Sequence, residues 1–188
     1  IPEKIDRKLM DRLGDQDLLH DGTKGGAATR APKSKGDEGY TVDLSESGNN
    51  THVEVVDGNH VRISNSAADA KDGKFVQLRL EGLTVPAMGQ QTKNGMLDAG
   101  EESKSHLEAF VARYTQPDSF EKMGLEIVEN DNGEKVLKAT LPAGESLSQR
   151  MIRDGYGLPT KEGEGLVRRE ELAKGAEKER RGIWGDGF

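Results

Sequence analysis

The sequence predicts an α+β, β-rich domain of one core, carried behind a separate N-terminal arm. Three observations lead there. Short runs of alternating apolar residues twice flank tight-turn residues, as in His52-Val-Glu-Val-Val56 and Val61-Arg-Ile63 around Asp57-Gly-Asn-His60. Beyond the arm, helical apolar spacing appears only between and after these hairpins. The 188 residues suffice for one medium domain with an extension, not for two independent cores.

Residues 1–50 read as the arm. Over 2–14, Ile5, Leu9 and Leu13 recur every four residues with Met10 beside them; Pro2 suits a first helical turn and Gly14 a stop. A helix this short is marginal alone, so it must dock on its own domain or on a partner subunit. Residues 15–49 lose periodicity, and Gly22 to Gly36 is rich in small residues and scattered lysines. That is the composition of a flexible linker, or of an arm that orders against another subunit.

The domain proper is expected over 51–188. After the first hairpin, Phe75-Val-Gln-Leu-Arg-Leu80 alternates as a third strand. A helix follows over about 100–114, with Leu107, Phe110, Val111 and Tyr114 on its apolar face and Glu101 and Glu102 in its first turn. Leu125-Glu-Ile-Val128 and Lys135-Val-Leu-Lys-Ala-Thr-Leu141 form a second hairpin around Asp131-Asn-Gly133. Ser146 and Gln149 stand at capping-box spacing for a helix that Gly155 ends. A last, heavily charged helix spans about 165–181, with Leu166, Leu172 and Ala176 as its inward positions, and Ile183-Trp184 follows as an apolar plug.

Composition limits the partners. Hydrophobic and charged residues each make up 32%, with 24 glycines, so a real core is diluted by loops. The net charge is −7, and residues 51–144 hold 10 Lys and Arg against 15 Asp and Glu. Phosphate capture needs a basic footprint, so nucleic acid is disfavoured as a partner and protein subunits are favoured. Cysteine is absent, which excludes disulfides and thiolate metal sites. No apolar run reaches membrane-span length and no signal peptide is visible, so a soluble chain is expected. Ile1 in place of Met is what proteolytic processing leaves, and equally what trimming leaves.

Six stretches, in order, resemble the staphylococcal nuclease (thermonuclease) family. Val56-Asp-Gly-Asn-His-Val-Arg-Ile63 is similar to the family's Val-Asp-Gly-Asp-Thr-Val hairpin. Val76-Gln-Leu-Arg-Leu-Glu-Gly-Leu-Thr-Val-Pro86 resembles Val-Arg-Leu-x-Gly-Ile-Asp-Thr-Pro-Glu without a gap. Gly100-Glu-Glu-Ser-Lys-Ser-His-Leu-Glu-Ala-Phe110 is similar to the Gly-x-Glu-Ala helix, and Asp131-Asn-Gly-Glu-Lys-Val-Leu137 to Asp-x-Tyr-Gly-Arg-x-Leu. Leu147 through Tyr156 resembles Val-Asn-x-x-Leu-Val-Arg-x-Gly-Tyr, and Ala176 through Gly185 the final helix with its Arg-Gly-Leu-Trp. The resemblance implies a five-stranded OB-type barrel with three helices. It does not cover the first fifty residues.

The family hydrolyses phosphodiester bonds with Ca²⁺, held by hard oxygen ligands, with one carboxylate activating water and two arginines stabilising the transition state. Mapped by the resemblance, the metal-binding carboxylates fall on Asn59 and Thr84, the neighbouring hydroxyl on Val85, and the water-activating carboxylate on Ala87. Three carboxylates are therefore missing. The first arginine is Arg79. The second falls on Lys135 if Asp131 and Leu137 anchor the hairpin, or on Glu134 if Gly133 does. Asp57 and Asn59 are weak metal candidates; Asp57 also simply serves its turn, and Arg79 also reads as a strand residue paired with nearby acids. His52 and His60 share one hairpin, and two ligands do not make a tight metal site.

The resemblance thus implies a degenerate, non-catalytic domain acting as a structural or protein-binding module in a larger assembly, without a cofactor. Its arm, through Ile5, Leu9, Met10 and Leu13, is the expected docking element. The alternatives are a divergent Ca²⁺-dependent phosphodiesterase using Arg79, Lys135, Asp57 and a relocated acid (Glu81, Asp98, Glu101 or Glu102), and a nucleic-acid-binding domain that does not cleave.

Overall fold

A computed structural model describes residues 39–44, 51–89, 98–116 and 121–186. The expected helix at 2–14, with Ile5, Leu9, Met10 and Leu13, lies outside the described residues. The described chain is a mixed α+β structure with antiparallel strands. β1 (His52–Asp57) and β2 (His60–Ser64) form the first hairpin, in register from His52 opposite Ser64 to Asp57 opposite His60, with a bulge between Val55 and Asp57. β3 (Val76–Arg79) adds to β2, placing Arg79 opposite His60. Alternation does here what it should: Val61, Ile63 and Leu78 are buried on one face.

β4 (Leu83–Thr84) pairs with β7 (Leu158–Pro159), and β5 (Gly124–Glu129) with β6 (Lys135–Thr140). The pairs form three antiparallel sheets, and hydrogen bonding among the described residues does not close a barrel. A single parallel bridge, Leu80 to Leu137, ties the first sheet to the second hairpin, where Glu81 N–H donates to the Leu137 carbonyl at 2.9 Å.

Four α-helices are described rather than three. The additional one, α1 (Ala67–Lys71), is capped by Ser66 and buries no side chain, so no periodicity announces it. α2 (Ala99–Tyr114) starts at Asp98, whose carboxylate accepts from Glu101 N–H. It buries Leu107 and Val111, with Phe110 and Tyr114 packed half-buried beside them. α3 (Leu147–Arg153) has the full Ser146–Gln149 capping box. α4 (Leu166–Lys178) departs from the sequence reading: it buries Arg169, Ala173 and Ala176, while Leu166 and Leu172 are only partly covered. A buried arginine on a charged helix carries no apolar signal, which is why periodicity missed it.

One core unites these elements. Ile63, Leu80, Leu83, Leu107, Leu137, Leu147, Met151, Ile152, Leu158 and Ile183 are fully buried, each stabilising the fold by about 1.5–3 kcal/mol through burial. Trp184 joins them from the 3₁₀ turn Gly182–Asp186. Gly155 receives that turn: its φ is +91°, its carbonyl accepts from Ile183 N–H at 3.1 Å, and any Cβ would fall on the Arg181 carbonyl.

The segment expected as linker is partly domain. Tyr40 donates its hydroxyl hydrogen to Asp69 at 2.8 Å and accepts from Asn65 N–H at 2.9 Å. Asp43 N–H and the Thr41 carbonyl both bond the Asn65 side chain, and Val42 and Leu44 pack against the core. Residues 40–44 therefore contact the domain expected over 51–188. The segment's turn-rich composition hid two apolar residues that gain burial only after folding. No helix among the described residues is long and apolar enough to cross a membrane.

Candidate functional site

The β1–β2 turn and the segment after β3 meet in the interior. Asp57 accepts from Asn59 N–H at 2.9 Å and contacts His60 Nδ1 at 2.9 Å, so its carboxylate is spent on holding the turn. Asn59 is 1% exposed and donates its side-chain amide to the Leu83 carbonyl at 2.9 Å. That bond brings Asn59 beside Thr84, which is fully buried. Asn59 Oδ1 and Thr84 Oγ1 are both buried without a hydrogen-bond partner. Val85 packs its methyls against Gly58, and the Ala87 carbonyl lies against Gly100 at the start of α2.

This donor set does not fit Ca²⁺, which takes six to eight hard oxygens with carboxylates among them. Asn59 and Thr84 offer two neutral oxygens, Val85 and Ala87 offer no side-chain donor, and Asp57 is already engaged. No group of three or more metal-ligating side chains occurs among the described residues. Glu81, Asp98, Glu101 and Glu102 bring no carboxylate into such a group.

The Arg79 side chain is held in a cluster of acids. Its two terminal nitrogens grip Glu162 in a fork, Nη1 to Oε2 at 2.6 Å and Nη2 to Oε1 at 2.8 Å, and Nη2 also meets Glu134 at 2.9 Å. Glu162 accepts further bonds from Gly82 N–H at 3.0 Å and Asn130 Nδ2 at 3.4 Å. Burial disfavours the charged guanidinium, but the bonds and charges of Glu162 and then Glu134 outweigh it and hold Arg79 above its ordinary range. Burial likewise works against the Glu162 carboxylate, and Arg79 with the Gly82 N–H overcomes it, leaving Glu162 below the usual carboxylate range. Lys135 is exposed on β6, opposite Glu129, and the side chain meeting Arg79 from this hairpin is Glu134.

No family model matches this sequence, and no curated protein matches it.

Two further residues escaped sequence reasoning. Arg169 is 2% exposed and bonds only backbone: Nη1 donates to Gly82 O at 2.8 Å and Thr160 O at 2.7 Å, Nη2 to Glu162 O at 2.6 Å. It thereby fixes the 160–165 loop that carries Glu162. Burial pushes its pKa down, although an arginine stays charged. His106 on α2 meets Asp154, the C-cap of α3, at 2.8 Å and stacks on Tyr156 with ring centres 4.1 Å apart. The Asp154 carboxylate also accepts from Arg150 Nε at 3.0 Å. This edge opens on a shallow cavity of about 390 Å³, with Asp98, Glu101 and Glu102 on its wall. Only pairing across elements reveals either cluster, since each joins residues dozens of positions apart.

Proposed function

We propose that this chain is a degenerate staphylococcal-nuclease-like domain of OB-type barrel architecture, without catalysis, serving as a structural, protein-binding module in a larger assembly. The observation that carries the reading is the state of Arg79. The one catalytic side chain kept from the family pattern has its fork filled by Glu162 and its flank by Glu134. A guanidinium neutralised by two acids of its own chain does not stabilise charge developing on a phosphorus centre. Asn59, Thr84 and Ala87 add no carboxylate to bind metal or activate water.

Support for the architecture comes from the order of the elements and from the Leu80–Leu137 bridge, which sets the second hairpin against the end of β3 as an open barrel requires. The acidic balance of residues 51–144 favours a protein partner over nucleic acid. The test is Ca²⁺-dependent hydrolysis of single-stranded DNA and RNA by the full chain. No turnover above background is expected. Robust turnover that disappears with chelator and with Arg79→Ala overturns the reading in favour of a divergent phosphodiesterase.

A further inference from the structure

A polar cavity of about 340 Å³ opens between β6, the start of α3 and the start of α4. Its floor is buried, formed by Ala139 from β6, Ser148 from α3 and Arg169 from α4. Its rim is exposed, with Lys138 from β6 and Glu164 from the loop before α4. Glu81, on the short link between β3 and β4, stands half-buried in the wall. The cavity thus runs from solvent toward the core past one carboxylate.

The Glu81 backbone is fixed on both sides. Its N–H donates to the Leu137 carbonyl at 2.9 Å, and its carbonyl accepts from Ser148 Oγ at 2.7 Å. Its carboxylate, by contrast, takes no hydrogen bond or ion pair among the described residues, and only the charges around it act on it. Glu162 and Glu164 repel it, while Lys138 and Arg169 attract it without pairing with it. Arg169 is not free to turn, because its nitrogens are committed to the carbonyls of Gly82, Thr160 and Glu162. Burial and Glu162 outweigh both cations, so the ionised carboxylate is held at a cost. Gly163 makes room for it: φ is +77°, and a Cβ there would fall 2.7 Å from Glu81 Cδ and 2.8 Å from Oε1.

A carboxylate left without donors is relieved by a ligand that brings positive charge and hydrogens together. A primary ammonium does both, and its three hydrogens call for further acceptors. The Glu164 carboxylate and the Thr140 hydroxyl line the same cavity. A divalent metal fits less well, since no group of three or more metal-ligating side chains occurs among the described residues. We propose that this cavity binds a primary ammonium group, carried by a small amine or by a lysine side chain, with Glu81 as its anionic anchor. Asn59, Thr84, Val85 and Ala87 take no part in it, so it does not depend on the nuclease-like reading.

The experiment titrates the full chain with n-butylammonium chloride at constant ionic strength, following the glutamate side-chain carboxyl ¹³C shifts and the amide shifts of residues 163–165. Saturable binding that moves the Glu81 carboxyl signal is expected. It should be about tenfold tighter than binding of tetramethylammonium, which carries the charge without an N–H, the scale of one charge-assisted hydrogen bond. Glu81→Gln keeps the shape, relieves the buried charge and so should fold at least as stably; it is expected to weaken butylammonium binding about tenfold. Lys138→Met removes a neighbouring cation and should tighten it. Nα-acetyl-lysine methylamide separates the two sources: binding tighter than butylammonium supports a lysine side chain as the ligand, and weaker binding supports a free amine. Absence of saturable butylammonium binding overturns the proposal, as does binding that Glu81→Gln leaves unchanged or that tetramethylammonium matches.

Discussion

Replacing Arg169 by Leu should be the most damaging single change on the surface-facing helix α4. The guanidinium is 2% exposed and donates to the carbonyls of Gly82, Thr160 and Glu162 at 2.6–2.8 Å, with a fourth, longer bond to Glu164 at 3.4 Å. Leucine fills part of the volume and supplies no donor. Gly82 keeps the Thr160 N–H as a donor, so its carbonyl is not orphaned. Thr160 and Glu162 are half-buried, and water recovers some of what they lose. At about 1–3 kcal/mol for each buried group left unpaired, the net loss comes to about 3 kcal/mol. For a domain of this size that lowers the melting temperature by about 10 °C. Arg169→Lys keeps the charge but cannot span the carbonyls with one ammonium, so it should fall between the two. Thermal unfolding followed by circular dichroism measures the order, and amide exchange at residues 160–165 should accelerate in both variants. An Arg169→Leu chain that melts with the unsubstituted protein would refute the assignment of Arg169 as the fastening of this loop.

Other outcomes follow from the same geometry. Burial alone would raise the Asp154 pKa, but His106 and Arg150 hold it below its ordinary 3.8. Its contribution is therefore present above that value and lost as pH falls below it, so Asp154→Asn should destabilise at neutral pH and flatten the acid limb of a stability profile. Glu81 has the opposite sign: burial, then the charge of Glu162, raise its pKa, so its penalty grows as the carboxylate ionises. Glu81→Gln should stabilise at neutral pH and make little difference in acid; equal denaturation midpoints at both pH values would count against this. Replacing Tyr40, Val42 and Leu44 together by alanine removes their contacts with Asp69, Asn65 and the core and should lower the melting temperature. Gly155→Ala, forced against the Arg181 carbonyl at φ +91°, should cost more than 1 kcal/mol, about the scale of an over-packed and strained position, in urea denaturation.

The sequence by itself determined the elements whose cause is local. Asp57-Gly-Asn-His60 and Asp131-Asn-Gly133 marked both hairpins because turn geometry is written in turn residues. Ser146 with Gln149 marked the start of α3, since a capping box closes within four residues. That Asn59, Thr84 and Ala87 carry no carboxylate is read from residue identity alone.

Tertiary structure decided the rest. The two-residue pairing of Leu83–Thr84 with Leu158–Pro159 has no periodicity to read and exists only where the chain returns. That Glu134 meets Arg79 while Lys135 stands exposed depends on hairpin register, which composition leaves open. Glu162 reaches Arg79 from 83 positions away, on a loop that Arg169 fastens by bonds to backbone alone. Charge in a sequence is ambiguous between a solvated face and a buried partner. The fold resolves it by deciding which charges lose water and must find each other.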